Sequence, residues 1–139
     1  NSDLQRLMNI STRGEVVAGD GILIGGFVVT GNAPTRVLIR GVGPSLSSFG
    51  LSGVLADPRL RVYRGSELVA ENDDWASTAV EAAAGVQAAS EVGAFRLMNG
   101  SKDAAMILTL APGVYTAQIA AADGMSGGTA LVEVYQLTR

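Results

Sequence analysis

The residues best suited to chemistry in this chain form one acidic run, Asn72-Asp73-Asp74. Carboxylate and amide oxygens are the ligands that calcium, a hard cation, prefers. The run lacks the alternating spacing of dedicated calcium loops, and Asn and Asp side chains often hydrogen-bond the main chain of their own turn. A structural turn is therefore the favoured interpretation, and a calcium site, with Asp57 or Asp20 as a partner from elsewhere, is the alternative. No other cofactor is predicted.

Nucleophilic catalysis needs a serine, cysteine or lysine with an activating partner, and the sequence offers none in a known arrangement. Residues 43–47, Gly-Pro-Ser-Leu-Ser, lack the final glycine of a nucleophile elbow, and the chain has no histidine and no cysteine. Lys102 directly follows Ser101, which is not the Ser-x-x-Lys spacing. A glycosidase needs two carboxylates, but nothing singles out a pair among the 13 acidic residues. The chain is therefore predicted not to be an enzyme.

Length and composition predict one folded domain that covers residues 1–139. Hydrophobic residues make up 47% of the chain, enough for a core that buries about two-thirds of the unfolded surface. The net charge of −3 disfavours nucleic acid as a partner, because phosphate binding needs a basic surface. No run approaches the ~18 consecutive apolar residues of a membrane span.

Two further features bear on where the protein works. The sequence begins with Asn1 rather than methionine, which we interpret as a processed secretory product or an excised domain. A core of this size needs no disulfide, so the absence of cysteine is compatible with secretion.

Short apolar runs separated by turn residues predict an all-β fold, an antiparallel β-sandwich or jelly roll. The run at 22–29 predicts a buried strand in which Gly25 and Gly26 mark a bulge or a close backbone approach. Residues 60–63 and 67–70 predict a hairpin. The predicted core contains Ile24, Phe27, Val37, Ile39, Val62, Leu108, Tyr115, Ile119 and Val132.

The last third of the chain predicts two successive antiparallel strands or a hairpin, at 105–110 and 114–119. Between them, Pro112 presets φ for the first central position of a type II turn. Gly113 accepts the positive φ that the second position needs. Another strand is predicted at 129–137.

A short alanine-rich helical insertion interrupts the strands. Thr78 and Glu81 have the spacing of a capping box, and the alanine-rich run continues to about Ala89. Residues 90–98 predict a second short helix, which the turn at Asn99-Gly100 ends.

The N-terminal segment, residues 1–13, contains Leu4, Leu7, Met8 and Ile10, too many apolar side chains for a free tail. One interpretation is a connector strand that adds to an exposed sheet edge of a neighbouring copy, with these four residues as the subunit contact. Such head-to-tail contacts propagate into filaments. The other interpretation is that the segment is the first strand of its own domain.

Several runs resemble known domains of secreted bacterial proteins. Residues 60–63, 68–70, 72–74 and 110–116 (Leu-Ala-Pro-Gly-Val-Tyr-Thr) resemble the bacterial pre-peptidase C-terminal domain, a secreted β-sandwich. Residues 36–46, 55–58 and 72–75 resemble an uncharacterised domain common in large secreted proteins of environmental bacteria. These resemblances imply a secreted protein that is extracellular or on the cell surface. The alanine-rich insertion after Trp75 departs from the pre-peptidase pattern.

Two functions from different classes fit these observations. The first is a non-enzymatic extracellular structural module that self-associates, as a homo-oligomer or filament, into an adhesive or cell-surface assembly. It would do so by strand addition or by stacking. The alternative is a carbohydrate- or calcium-binding accessory module of a secreted hydrolase.

Five arginines, predicted on adjacent strands, form either a solvated sheet face or an interface; they are Arg36, Arg40, Arg59, Arg61 and Arg64.

Overall fold

The computed structural model describes residues 9–19 and 21–137 of the chain. In this part the chain forms eight strands, one α-helix and one short 3-10 helix at Pro44–Phe49. The elements are β1 (Asn9–Val16), β2 (Leu23–Val29), β3 (Thr35–Val42), β4 (Pro58–Arg64), β5 (Glu67–Asn72), α1 (Ala79–Val92), β6 (Ala104–Leu110), β7 (Gly113–Ala121) and β8 (Gly128–Gln136).

The strands form two four-stranded sheets that enclose one core. The first sheet has the order β1-β8-β3-β6, and the second has the order β2-β7-β4-β5. Every neighbouring pair in both sheets is antiparallel. The predicted antiparallel β-sandwich with a short helical insertion is confirmed.

The core contains the predicted residues with one exception. Phe27, Tyr115 and Ile119 are buried among residues of both sheets, and Leu108 is half-buried against them. The prediction for Ile24 is wrong, because its side chain is 49% exposed. In β2 the inward positions are Gly25 and Phe27, and the alternation of a strand places Ile24 on the opposite face.

Gly25 marks a close approach of the two sheets rather than a bulge. β2 pairs with β7 residue for residue from Leu23 to Val29, without a shift of register. A Cβ atom at Gly25 would lie 3.0 Å from Cγ1 of Val132 in the first sheet. The glycine therefore lets the sheets meet at this point.

The connection between β6 and β7 crosses from the first sheet to the second, so the hairpin interpretation of this region is wrong. The predicted type II turn is also wrong, because Gly113 does not have a positive φ. Instead, the hydroxyl of Tyr115 donates a 2.6 Å hydrogen bond to the carbonyl of Ala111. The Tyr115 ring stacks on Phe27 at 5.5 Å. The tyrosine thus fastens the crossing to the core.

The insertion forms a single helix, so the second helix predicted at 90–98 is wrong. The hydroxyl of Thr78 accepts a hydrogen bond from the Glu81 amide at the start of α1, as the capping-box spacing predicts. Gly93 ends the helix with φ of 72°. Ala88 and Ala89 pack against Leu38 on the outer side of the first sheet. No helix in the described residues is long and apolar enough to cross a membrane.

Part of the N-terminal segment lies in the first sheet. β1 pairs along its whole length with β8 of the same chain, as the interpretation of a first strand expects. Ile10 packs against the core. Leu4, Leu7 and Met8 lie outside the described residues.

Candidate functional site

The acidic run lies where β5 ends and the chain turns toward α1. The side-chain carbonyl of Asn72 accepts a 3.1 Å hydrogen bond from the Ala105 amide, and its amide nitrogen donates to the carbonyl of Asp74 at 3.2 Å. The Asp73 and Asp74 side chains are exposed. Asn72 therefore fastens the end of β5 to the start of β6.

Other carboxyl groups lie near this run. Partial burial raises the pKa of Asp57, the positive charge of Lys102 opposes this shift, and the charges of Asp74, Asp73 and Asp123 add to it. The Oδ1 atom of Asp57 is buried without a hydrogen-bond partner. The described residues contain no group of three or more acidic side chains placed to hold a metal ion. The calcium site stays a prediction, and Asp20 lies outside the described residues.

The serine of the 43–47 run is fully buried in a hydrogen-bond network. The Ser45 hydroxyl donates to the carboxyl group of Asp103 and accepts a 2.8 Å hydrogen bond from the Met98 amide. The same carboxyl group accepts from the amides of Gly43, at 2.8 Å, and Ser45, at 3.2 Å. These bonds hold the turn after β3, and they leave Ser45 without access to a substrate.

Asp103 is the residue of this network that the sequence reasoning missed. It is completely buried, and its carboxyl group also accepts a hydrogen bond from the Ser101 hydroxyl. Its main-chain carbonyl accepts from the Trp75 amide at 2.9 Å. The one signal in the sequence is an acidic residue directly before the apolar run of β6.

The five arginines do not share one surface. Arg36 and Arg40 lie on β3 in the first sheet, whereas the other three lie on β4 in the second. Arg40 is almost completely buried, donates a 2.8 Å hydrogen bond from Nε to Oε1 of Glu133, and lies 4.5 Å from the centre of the Phe95 ring. Glu133 also accepts from the hydroxyl of Tyr135 at 2.7 Å, and burial, followed by this bond, raises the pKa of Tyr135. This network connects β3 to β8 on the outer side of the first sheet.

The outer side of the second sheet, which we call the open face, differs from that of the first sheet. Both helices of the described chain pack elsewhere, α1 on the first sheet and the 3-10 helix beside Trp75. On the open face, Ile24, Val28 (46% exposed) and Val114 (66% exposed) present large aliphatic side chains to water. Val28 and Val114 are direct cross-strand partners, so they form one apolar patch.

A shallow depression of about 270 Å³ lies on the open face next to Ile24, at the other end of β2 from this patch. Arg59, Arg61 and Gln118 line it, together with the turn that leads into β2. Arg61 pairs with Glu71 across β4 and β5 at 3.0 Å. The open face therefore combines exposed aliphatic side chains with a polar side.

Comparison with known proteins shows the fold. The sequence matches no family model and no curated protein. The structure is similar to the pre-peptidase C-terminal domain of a collagenase from Bacillus anthracis, with a TM-score of 0.52 and 12% identity over 91% of this chain and 89% of that chain. It also matches a cycloisomaltooligosaccharide glucanotransferase from Paenibacillus sp., with a TM-score of 0.39 and 15% identity over 85% of this chain but 13% of the enzyme. The resemblance to the pre-peptidase C-terminal domain is thus confirmed for the fold.

Proposed function

We propose that this chain is a non-catalytic, extracellular structural module of a bacterial protein, and that it self-associates through its second sheet. The observation that carries the proposal is the open face, where Ile24, Val28 and Val114 lie exposed on a sheet that neither helix covers. Val28 and Val114 are neighbours on this face, and Ile24 lies on the same strand as Val28. Exposed apolar patches on a folded domain mark interaction sites.

The energetic argument concerns these aliphatic side chains. Covering a half-exposed Val or Ile side chain contributes on the order of 1 kcal/mol. Several such residues from each copy would together offset part of the entropy that association costs. The exposed Arg61–Glu71 pair lies on β4 and β5, away from the apolar patch, where it would form the polar rim of a contact.

The buried state of the polar groups supports a non-catalytic role. The hydroxyl of Ser45, the carboxyl group of Asp103 and the guanidinium group of Arg40 are each engaged in internal hydrogen bonds. Each is at most 1% exposed, so none is accessible to a substrate. The fold shared with a pre-peptidase C-terminal domain supports an extracellular location.

The experiment is to measure the molar mass in solution by light scattering coupled to size exclusion. The expected species are larger than the 14.2 kDa monomer. Val28→Lys should shift the distribution toward the monomer, because it places a charge in the apolar patch. Val80→Lys, an equally large change at an exposed position of α1, is the matched control and should assemble like the wild type. A monomeric wild type would overturn the proposal.

The N-terminal segment would supply a second contact. Strand addition by residues before Asn9, with Leu4, Leu7 and Met8 as contacts, would convert oligomers into a filament. Deletion of residues 1–8 leaves β1 intact and tests this contact. A truncated protein that forms filaments of normal length would exclude it.

The second candidate is an accessory module that binds calcium or carbohydrate. The observation that favours calcium is the buried Oδ1 atom of Asp57, which has no hydrogen-bond partner and interacts with the negative charges of Asp73, Asp74 and Asp123. Calcium titration of the protein by calorimetry tests it directly. A monomeric protein that binds calcium would favour this candidate over the structural module.

A further inference from the structure

We propose that two copies pair through β2, antiparallel about a two-fold axis at Gly26, so that their second sheets form one continuous eight-stranded sheet. This inference rests on the proposed self-association and specifies its geometry.

β2 is the edge strand that is least protected against pairing. It pairs with β7 on one side, and no residue among 9–19 and 21–137 pairs with its other side. Edge strands that stay free commonly carry charges, prolines or bulges, because their unpaired N–H and C=O groups are a template for another strand. β2, with the sequence Leu-Ile-Gly-Gly-Phe-Val-Val, has no charge, no proline and no shift of register.

Each of the other three edge strands has an obstacle to pairing. β1 has the charged and exposed residues Arg13 and Glu15. β5 has Glu67 and Glu71, and its register with β4 shifts between Val62 and Tyr63. β6 borders a groove that α1 and the end of β5 also line, and Asn72 accepts a hydrogen bond from its second residue. A partner strand therefore meets the fewest obstacles at β2.

The sequence of β2 is compatible with pairing to itself. With Gly26 on the axis, all seven residues of β2 find a partner, and Ile24 lies opposite Val28 of the other copy. Both residues are on the open face, so the pairing places Ile24 of each copy beside the apolar patch of the other. A register shifted by one residue would place outward side chains opposite inward ones, which disfavours it.

The two glycines fit the same register. Gly25 lies opposite Phe27 of the other copy, so in this register inward positions face inward positions. Gly26, on the axis, has an ordinary φ, and a Cβ atom there would meet its nearest neighbour, the carbonyl oxygen of Tyr115, at 3.9 Å. Position 26 therefore accepts a side chain.

This tolerance gives a direct test by disulfide formation, since the chain has no cysteine of its own. Residues directly opposite in antiparallel strands have Cα atoms about 4.5–5.5 Å apart, within the range of a disulfide. Gly26→Cys should form a disulfide-linked dimer under mild oxidation. In Val28→Cys the two cysteines would lie four residues apart along the strands, about 13 Å, and should not link.

The expected result is on the order of ten-fold more linked dimer for Gly26→Cys than for Val28→Cys at equal concentration. A mixture of differently tagged Ile24→Cys and Val28→Cys chains should give the mixed dimer. Both positions are exposed, so this pair keeps the test valid if Gly26→Cys fails to fold.

The outcomes separate this inference from the proposed function. If the wild type assembles but neither Gly26→Cys nor the mixed pair forms linked dimers, the β2 geometry is wrong and self-association stands. Equal linking of Gly26→Cys and Val28→Cys indicates random collision and also overturns the geometry. A monomeric wild type overturns both.

Discussion

At the scale of single residues, Asp103 holds three separate segments of the chain with one buried carboxyl group. It accepts hydrogen bonds from Gly43 and Ser45 after β3 and from the hydroxyl of Ser101 before β6. Through the hydroxyl of Ser101 it is also connected to the indole N–H of Trp75. A buried network of this kind stabilises a fold only when every member has its partners.

Asp103→Ala should lower the free energy of unfolding by about 3 kcal/mol, because it leaves buried N–H and hydroxyl donors unpaired. Urea unfolding followed by circular dichroism measures this loss. Asp123→Ala is the matched control. Asp123 also accepts from two amides and a serine hydroxyl, which lower its pKa to about 2, but it is exposed. Its replacement should cost much less, and equal losses would contradict the role given to burial.

Asp57→Asn should raise the melting temperature at pH 7. Burial raises the pKa of Asp57 in the folded state, so the folded protein loses stability as the pH rises through this pKa and the carboxyl group ionises. The neutral amide avoids that loss, and the difference should vanish below the unfolded pKa of about 3.9. Thermal melts at pH 3 and 7, with Glu91→Gln as the exposed control, check this. A variant less stable at pH 7 would show that the ionised carboxylate has a stabilising partner.

At the scale of elements, the loop from β5 to α1 connects the two sheets. Its residues Asn72 and Trp75 bond to Ala105 and Asp103 at the start of β6, so the loop joins an edge of the second sheet to an edge of the first. The helix that follows then covers the first sheet. The first sheet is thus covered on its outer side, and the open face of the second sheet is not.

Because hydrogen bonds within the chain hold this loop, a calcium chelator should leave the melting temperature unchanged. Thermal melts with chelator, and then with excess calcium, measure this. A decrease of several degrees that calcium restores would instead establish a calcium site at Asn72, Asp73 and Asp74, since a ligand that binds only the folded state stabilises it.

At the scale of the whole molecule, the two sheets differ in what covers their outer sides. The helix α1 packs on the first sheet, and neither helix of the described residues packs on the open face of the second. If copies associate through that surface, the melting temperature should rise with protein concentration, because association stabilises the folded state by mass action. Calorimetric scans over a concentration range on the order of a hundred-fold test this. Val28→Lys should show a weaker dependence, whereas a wild type whose melting temperature is constant would contradict self-association.

Local patterns in the sequence determined the class of fold and several of its elements. The alternation of apolar residues around Phe27, Val37 and Tyr115 predicted three strands and their buried faces, because the side chains of a strand repeat every two residues. The cap at Thr78 was predictable, since it depends on residues within one helical turn. The chain does turn after β5, but Asn72 is the last residue of that strand, and Asp73 and Asp74 follow it.

The tertiary structure decided what depends on distant partners. The chain at Gly113 crosses between the sheets and does not form the predicted turn. The outward position of Ile24 followed from the place where the sheets meet at Gly25. Asp103 bonds to Ser45, which is 58 positions away in the sequence. Arg40 bonds to Glu133, which is 93 positions away. The open face exists because the helix packs on the other sheet, and strand patterns alone do not specify which surface a distant helix covers.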